Sequence, residues 1–335
     1  MNNNITRIGL DVGFGQVKAA LLNNGKLSLA SFPAILGDAQ TLSTFSTGLA
    51  AASRRKAVKM VYEGNEYYIG DDALKHSRTQ AGRQDRGRIG SIEERVLALA
   101  VLARLNITDA YIVTGLPVLW LDDLKKLRRS LKGEHRFTWG NEQRVITIHD
   151  VKIRPQPFGG FYAFVLHPSG AACIPEENIM QKFGMLDIGW NTTDLSALVG
   201  LDIRDIWCGG ERVGVRDVID VVGDAISHEH GLSLPPHELD AIIRAGKMRV
   251  AGVTYDLSPL IASATSNLSQ QIVSTATRVW NEGKLLDYIL IFGGGAAVFG
   301  PALKAAFPHS RILPHPAEAN AVGFCYYAQR DIWKQ

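Results

Sequence analysis

Two aspartates, Asp11 and Asp187, each end an apolar run, and each is followed two positions later by a glycine. The first stretch reads Ile8-Gly9-Leu10-Asp11-Val12-Gly13-Phe14-Gly15-Gln16-Val17-Lys18-Ala19-Ala20-Leu21. The second reads Gly184-Met185-Leu186-Asp187-Ile188-Gly189-Trp190-Asn191-Thr192-Thr193-Asp194-Leu195-Ser196-Ala197-Leu198. Magnesium keeps several waters and is bound by one or two carboxylates plus substrate phosphates, so a strand-end carboxylate can hold it through its water shell. Glycines at 13, 15 and 189 let backbone N–H groups approach phosphate oxygens. Lys18 adds a point charge able to neutralise a phosphate. Either segment alone is equally well an ordinary hairpin with a turn Asp. As a pair with matching apolar frames, they predict two hairpins holding a polyphosphate and its metal between them.

Two further elements fit that chemistry. Gly293-Gly294-Gly295 follows the apolar run Asp287 to Phe292 and precedes a helix-compatible stretch from Ala296 to Lys304. Backbone donors and a helix N-terminus then stand where a nucleotide can rest. The triplet is not G-x-G-x-x-G and has no acidic residue about 20 positions on within a βαβ unit, which argues against a dinucleotide site, and it is not a P-loop either. Gln156 stands between Pro155 and Pro157, which fix the local backbone, and a glutamine there can orient an attacking water. His228-Glu229-His230 has the residue types of a metal site but the wrong spacing, since residues two apart on a helix do not share a face.

The elements that must position these groups are legible as a coarse pattern. Asn23-Asn24-Gly25 predicts a tight turn returning as a third strand from Lys26 to Phe32. A loosely packed excursion is expected from Gly37 to Arg55, then a hairpin around Gly64-Asn65 and a charged, solvated loop from His76 to Arg88. Ser91-Ile92-Glu93-Glu94 opens a helix to Leu105 with a capping-box pattern. A buried strand from Asp109 to Val113, a basic helix from Leu121 to Leu131, a strand from Arg144 to Ile153 and a buried helix from Gly159 to Leu166 follow. After the second hairpin the pattern repeats. A strand is expected over Ile203 to Trp207, helices over Val213 to His230 and Leu260 to Trp280, then the strand entering the glycine triplet, a short helix over Pro301 to Phe307 and a closing helix over Ala317 to Tyr327. Strands first, then helix–strand alternation, twice over, predict two α/β domains of similar plan.

Bulk properties narrow the class. A chain of 335 residues with 46% hydrophobic and 21% charged residues is built for two globular domains. A net charge of +3 gives no case for nucleic acid as a direct partner. Cys173, Cys208 and Cys325 are far apart, which fits a reducing compartment. No apolar run approaches the roughly 20 residues needed to span a bilayer, and Met1-Asn2-Asn3-Asn4 leads straight into a strand, so a cytoplasmic location with no membrane partner is expected.

The ordered set resembles the actin, sugar-kinase and heat-shock-ATPase superfamily. Asp11-Val12-Gly13-Phe14-Gly15 is similar to its first phosphate motif, Asp187-Ile188-Gly189-Trp190-Asn191-Thr192-Thr193-Asp194 to its second, and Ile291-Phe292-Gly293-Gly294-Gly295 to its adenosine motif. Within the superfamily the chain most resembles bacterial and archaeal actin-like proteins of the plasmid-segregating ParM type. The signs are Val113-Thr114-Gly115-Leu116-Pro117, the Pro155-Gln156-Pro157 connector and Glu318-Ala319-Asn320-Ala321-Val322-Gly323-Phe324.

The resemblance implies an α/β fold of two related, ribonuclease H-like domains with a nucleotide cleft between them. One would comprise 1–160 plus 315–335 with an insert over about 30–88, the other 161–314 with a subdomain over about 212–258. It implies an ATPase (or GTPase) that uses Mg2+ and polymerises with itself, meeting DNA through an adaptor protein. By position, Asp11 and Asp187 would serve the metal and Gln156 the hydrolytic water. Gly13, Phe14, Gly15, Gln16, Lys18, Gly189, Trp190, Asn191 and Thr192 would face phosphates. Gly293, Gly294 and Gly295 would lie against the nucleoside, and Gly210, Glu211 and Arg212 would meet base or ribose. Trp190 and Asn191 stand where small residues are usual in that family. The alternative is a non-polymerising member, a small-molecule kinase or a chaperone-like reactivating ATPase; a kinase would need a base, and no spare carboxylate lies beside Gln156.

Overall fold

A computed structural model describes residues 5–39, 57–77, 80–81, 85–330 and 332–333. Beyond Ala39, the excursion expected up to Arg55 lies outside the described residues. The chain divides into two compact units, Met1–Cys173 with Asn320–Gln335, and Ile174–Ala319.

In the first unit β1 (Thr6–Val12), β2 (Gln16–Asn23) and β3 (Lys26–Pro33) form an antiparallel meander. Asn24 and Gly25 both take positive φ, the two-residue hairpin turn that their sequence dictates. β4 (Leu36–Asp38), β5 (Lys59–Tyr62), β6 (Asn65–Ile69) and β7 (Gln80–Ala81) form a small antiparallel extension, with α1 (Asp71–His76) beside it. The β5–β6 turn falls on Glu63-Gly64, one residue earlier than expected, because both take positive φ.

α2 (Ile92–Arg104) is buried from Val96 to Ala103 on all sides. An all-round apolar helix belongs inside, and each leucine it buries contributes roughly 1.5–3 kcal/mol. Its N-terminus departs from the expected box. Ser91 Oγ accepts the Glu94 N–H at 3.2 Å, but the Glu94 carboxylate accepts the Gly90 N–H at 2.5 Å.

β8 (Asp109–Leu116) leads through a 3-10 turn, Val118–Asp123, into α3 (Leu124–Leu131), β9 (Gly133–Trp139) and β10 (Glu142–Pro155). β8 lies parallel to β1, and β10 parallel to β8. The first half of β10 instead pairs antiparallel with β9, which carries β5 and so joins the small extension to the main sheet.

That junction is held by a buried histidine. His135 Nε2 donates to the Leu131 carbonyl at 2.8 Å, which leaves Nδ1 to accept the Tyr62 hydroxyl at 3.1 Å. Burial pushes the His135 pKa below its ordinary 6.5, and the Arg95 guanidinium adds to the effect. As pH falls past 6.5 the unfolded chain takes up a proton that the folded one refuses. Stability from this site is therefore full above pH 6.5 and lost as pH drops through the lowered value. Between pH 7 and 5 the melting temperature is expected to fall by a few degrees, and less steeply in His135→Gln, as a thermal melt at each pH will show.

α4 (Pro157–Val165) follows β10, and α5 (Glu176–Ile179) opens the second unit. There β11 (Lys182–Ile188) and β12 (Thr193–Val199) form the second hairpin, extended by β13 (Asp202–Ile203) and flanked by β14 (Gly209–Glu211). The strand expected over Ile203 to Trp207 stops at Ile203. Asp205–Trp207 is a 3-10 turn whose Trp207 carbonyl accepts the indole N–H of Trp280 at 2.9 Å, pulling the chain off the sheet.

α6 (Val215–His230) and α7 (Pro236–Ala245) precede a hairpin, β15 (Lys247–Val250) and β16 (Val253–Asp256), that periodicity did not single out. α8 (Ser258–Val279), β17 (Tyr288–Phe292), α9 (Ala296–Ala306) and β18 (Ser310–Ile312) complete the unit. β17 runs parallel to β11, and β18 to β17. Each unit thus has an antiparallel three-strand meander with two parallel strands added on the same side, the repeated plan expected from the sequence.

α10 (Ala319–Ala328) closes the chain. From Asn320 onward it belongs to the first unit, where Asn320 Oδ1 accepts the Gly160 N–H at 3.0 Å. A Cβ on Gly323 would run into the Gly159 carbonyl and the Ala163 amide, so only glycine permits this backbone approach.

Candidate nucleotide site

β1, β8 and β10 run parallel, so Asp11, Leu116 and Pro155 emerge at the same edge of the first sheet. Carboxyl ends of parallel strands are where α/β folds place their ligands. Asp11 is buried and faces Lys18 across the hairpin, with Lys18 Nζ 3.8 Å from Asp11 Oδ2. Burial raises the Asp11 pKa, and the cations Lys18 and Arg88 pull the other way. The carboxylate therefore depends on positive charge to stay ionised.

The turn Gly13-Phe14-Gly15 between the two strands carries Phe14, whose ring meets Trp120 edge-on at 6.1 Å. Gln16, the first residue of β2, is exposed. Gln156 caps α4 just beyond β10 and is half-buried. Its N–H donates to the Leu116 carbonyl at 2.8 Å, which ties it to the end of β8. Its side-chain amide makes no hydrogen bond among the described residues, so it is available to a ligand or water.

In the second unit Asp187 is buried at the end of β11. The following turn is closed by the Gly189 N–H donating to the Thr192 carbonyl at 2.8 Å. Its carbonyls are also used. Gly189 and Trp190 accept the N–H groups of Val215 and Arg216, in the first turn of α6, at 3.2 and 3.0 Å. The Trp190 side chain packs against the core of the unit, which is how a bulky residue fits in a phosphate-type turn while the backbone stays in place. Thr192 is exposed, with its hydroxyl 3.5 Å from Asp194 Oδ2.

The glycine triplet lies alongside. Asp187 is in register with Phe292, and the Gly295 N–H donates to the Ile188 carbonyl at 2.9 Å. Gly293 takes φ +92°, and a Cβ there would stand 2.6 Å from Asp187 Oδ1. Gly294 faces open space. Glu211 and Gly210 sit on β14 beside Thr193 and Asp194. The Glu211 carboxylate is fixed by the Thr275 hydroxyl at 2.7 Å and the Arg212 N–H at 3.1 Å, and it lines an open pocket with Gln270, Gln271, Ser274 and Arg278. Arg212 is exposed.

Sequence reasoning missed Arg88. The solvated loop expected from His76 to Arg88 ends on a guanidinium that is only 5% exposed. It donates from Nη1 to the Gly13 carbonyl at 3.0 Å and from Nη2 to the Val12 carbonyl at 3.2 Å. No local signal separates this arginine from its exposed neighbour Arg86, because what buries it is the turn 75 residues earlier in the chain.

Asp11 in the first unit and Asp187 in the second each offer hard carboxylate oxygens beside a glycine turn, the kind of ligand that suits a hydrated magnesium carried by phosphates. Among the described residues, no three His, Cys, Asp or Glu side chains converge into a metal cage of their own.

Fold and turns together define an actin-like protein. Residues 9–159 match the N-terminal domain of actin-like proteins, residues 185–305 match the C-terminal domain of archaeal MreB-like actin homologues, and the chain belongs to the actin-like family. Among solved structures, the archaeal actin homologue Ta0583 is 20% identical with a TM-score of 0.81, over 98% of this chain and 100% of that one. A ParM from a 15-stranded filament of Clostridium botulinum is 24% identical with a TM-score of 0.76, over 97% and 99%. The actin-like protein Alp7A is 16% identical with a TM-score of 0.74, over 97% and 96%. Ta0583 has also been solved in complex with ADP. No protein of curated function matches the sequence. Among the described residues, no helix is long and apolar enough to cross a membrane.

Proposed function

We propose that this chain binds and hydrolyses ATP or GTP with Mg2+ and assembles with itself into filaments as a function of nucleotide state. The observation that carries the reading is the repeated strand-end aspartate and turn, Asp11 in one unit and Asp187 in the other, with the glycine triplet laid against the second. In this reading Asp11 and Asp187 would hold the metal, which would supply charge neutralisation on the phosphates. Lys18 and the backbone of residues 13–16 and 189–192 contact phosphate oxygens. Gly293, Gly294 and Gly295 lie against the nucleoside, while Gly210, Glu211 and Arg212 reach its ribose or base. Gln156 orients the water.

A role in DNA segregation, with an adaptor protein between filament and DNA in the cytoplasm, is the cellular setting this reading fits. The test is pelleting and light scattering of the purified chain with MgATP or MgGTP. Filaments visible by electron microscopy are expected, and no assembly at high protein concentration would overturn the proposal. The water-orienting role makes a separate prediction. Gln156→Ala is expected to lower single-turnover hydrolysis by about 100-fold, the cost of a mispositioned reactant, while nucleotide affinity stays within about threefold.

A further inference from the structure

The buried Arg88 lies against the carbonyl side of the first turn. Its two terminal nitrogens hold the carbonyls of Val12 and Gly13, and its guanidinium stands 5.4 Å from the centre of the Phe14 ring. Trp120 meets the same ring edge-on. In a trans peptide the C=O of one residue and the N–H of the next point in opposite directions. With both carbonyls drawn toward Arg88, the N–H groups of Gly13 and Phe14 are turned away from it, side by side. Neither has an acceptor among the described residues. Successive N–H groups aimed the same way form an anion-binding concavity. Behind them lies the positive guanidinium, with which the buried carboxyl groups of Glu94 and Asp11 interact electrostatically.

Lysine cannot replace this arrangement, because an ammonium lacks the planar fork that bonds two carbonyls at fixed spacing. Among the described residues Arg88 Nε is buried without a hydrogen-bond partner, so its two terminal nitrogens carry the bonds that hold it.

We propose that Arg88 is a positioning residue: acting through the carbonyls of Val12 and Gly13, it aims the N–H groups of Gly13 and Phe14 at phosphate oxygens of the bound nucleotide. The inference rests on the nucleotide-binding reading above. The test compares the full-length wild type with Arg88→Lys and Arg88→Gln by hydrogen–deuterium exchange, with and without saturating MgATP (MgGTP if that binds tighter), and by titration of nucleotide affinity.

In the wild type, nucleotide should protect both the segment 12–16 and the segment 293–296. In the variants, protection of 12–16 should be lost while that of 293–296 persists, with affinity down about tenfold. If nucleotide protects neither segment of the wild type, the nucleotide reading fails and takes this inference with it. If both segments remain protected in the variants with affinity within twofold of wild type, only the Arg88 inference fails. Loss of protection in both segments, or failure of both variants to fold by circular dichroism, would make Arg88 merely structural and overturn the proposal as well.

Discussion

Asp187→Ala is expected to abolish turnover, lowering nucleotide hydrolysis by at least about 100-fold, or roughly 2.7 kcal/mol of transition-state stabilisation. The side chain ends β11 beside the glycine triplet, where an oxygen ligand to hydrated magnesium belongs. The fold should survive, because β11 is fixed from both sides by its pairing with β12 and β17 and by Leu186 and Ile188, which are fully buried. Magnesium titration of nucleotide affinity should flatten in the variant. Turnover near that of the wild type would show that Asp187 does not serve the metal.

Gly293→Ala is expected to damage both stability and binding, and Gly294→Ala to leave stability nearly untouched. At position 293 the backbone lies at φ +92°, where an L side chain is strained by about 1–3 kcal/mol. Its Cβ would also press on Asp187 Oδ1 and on the Ile188 backbone, which belongs to a paired strand and cannot yield cheaply. Overpacking of that kind costs a further 1–3 kcal/mol or so. At position 294 an added methyl meets nothing within 4 Å among the described residues, so a bound ligand is what would notice it. Denaturant unfolding and nucleotide titration of the two variants separate the effects. Equal stability loss in both would contradict the packing argument.

Much of the fold was legible because its signals are local. The Asn24-Gly25 turn, the all-apolar run of α2 and the strand entering Gly293 are each specified within a dozen residues. The two Leu-Asp hairpins carry their own turn chemistry, and the order of strands and helices around them gave the repeated plan. What stayed hidden depends on partners far away in the chain. The Ile203 to Trp207 segment reads as a strand by composition, yet a hydrogen bond from Trp280 ends it. Trp190 looks out of place in a phosphate turn until the core that receives it is assembled.

Arg88 shows the division most clearly. By itself the sequence determined which residue types stand at the strand ends, namely two aspartates, their glycines and a lysine, because strand, turn and carboxylate are short-range properties. Only the tertiary structure decided that one arginine of a charged loop is buried behind the first turn and bonded to the carbonyls of Val12 and Gly13. A guanidinium is shielded from water by whatever the chain folds over it, and nothing in its own neighbourhood of sequence records what that will be.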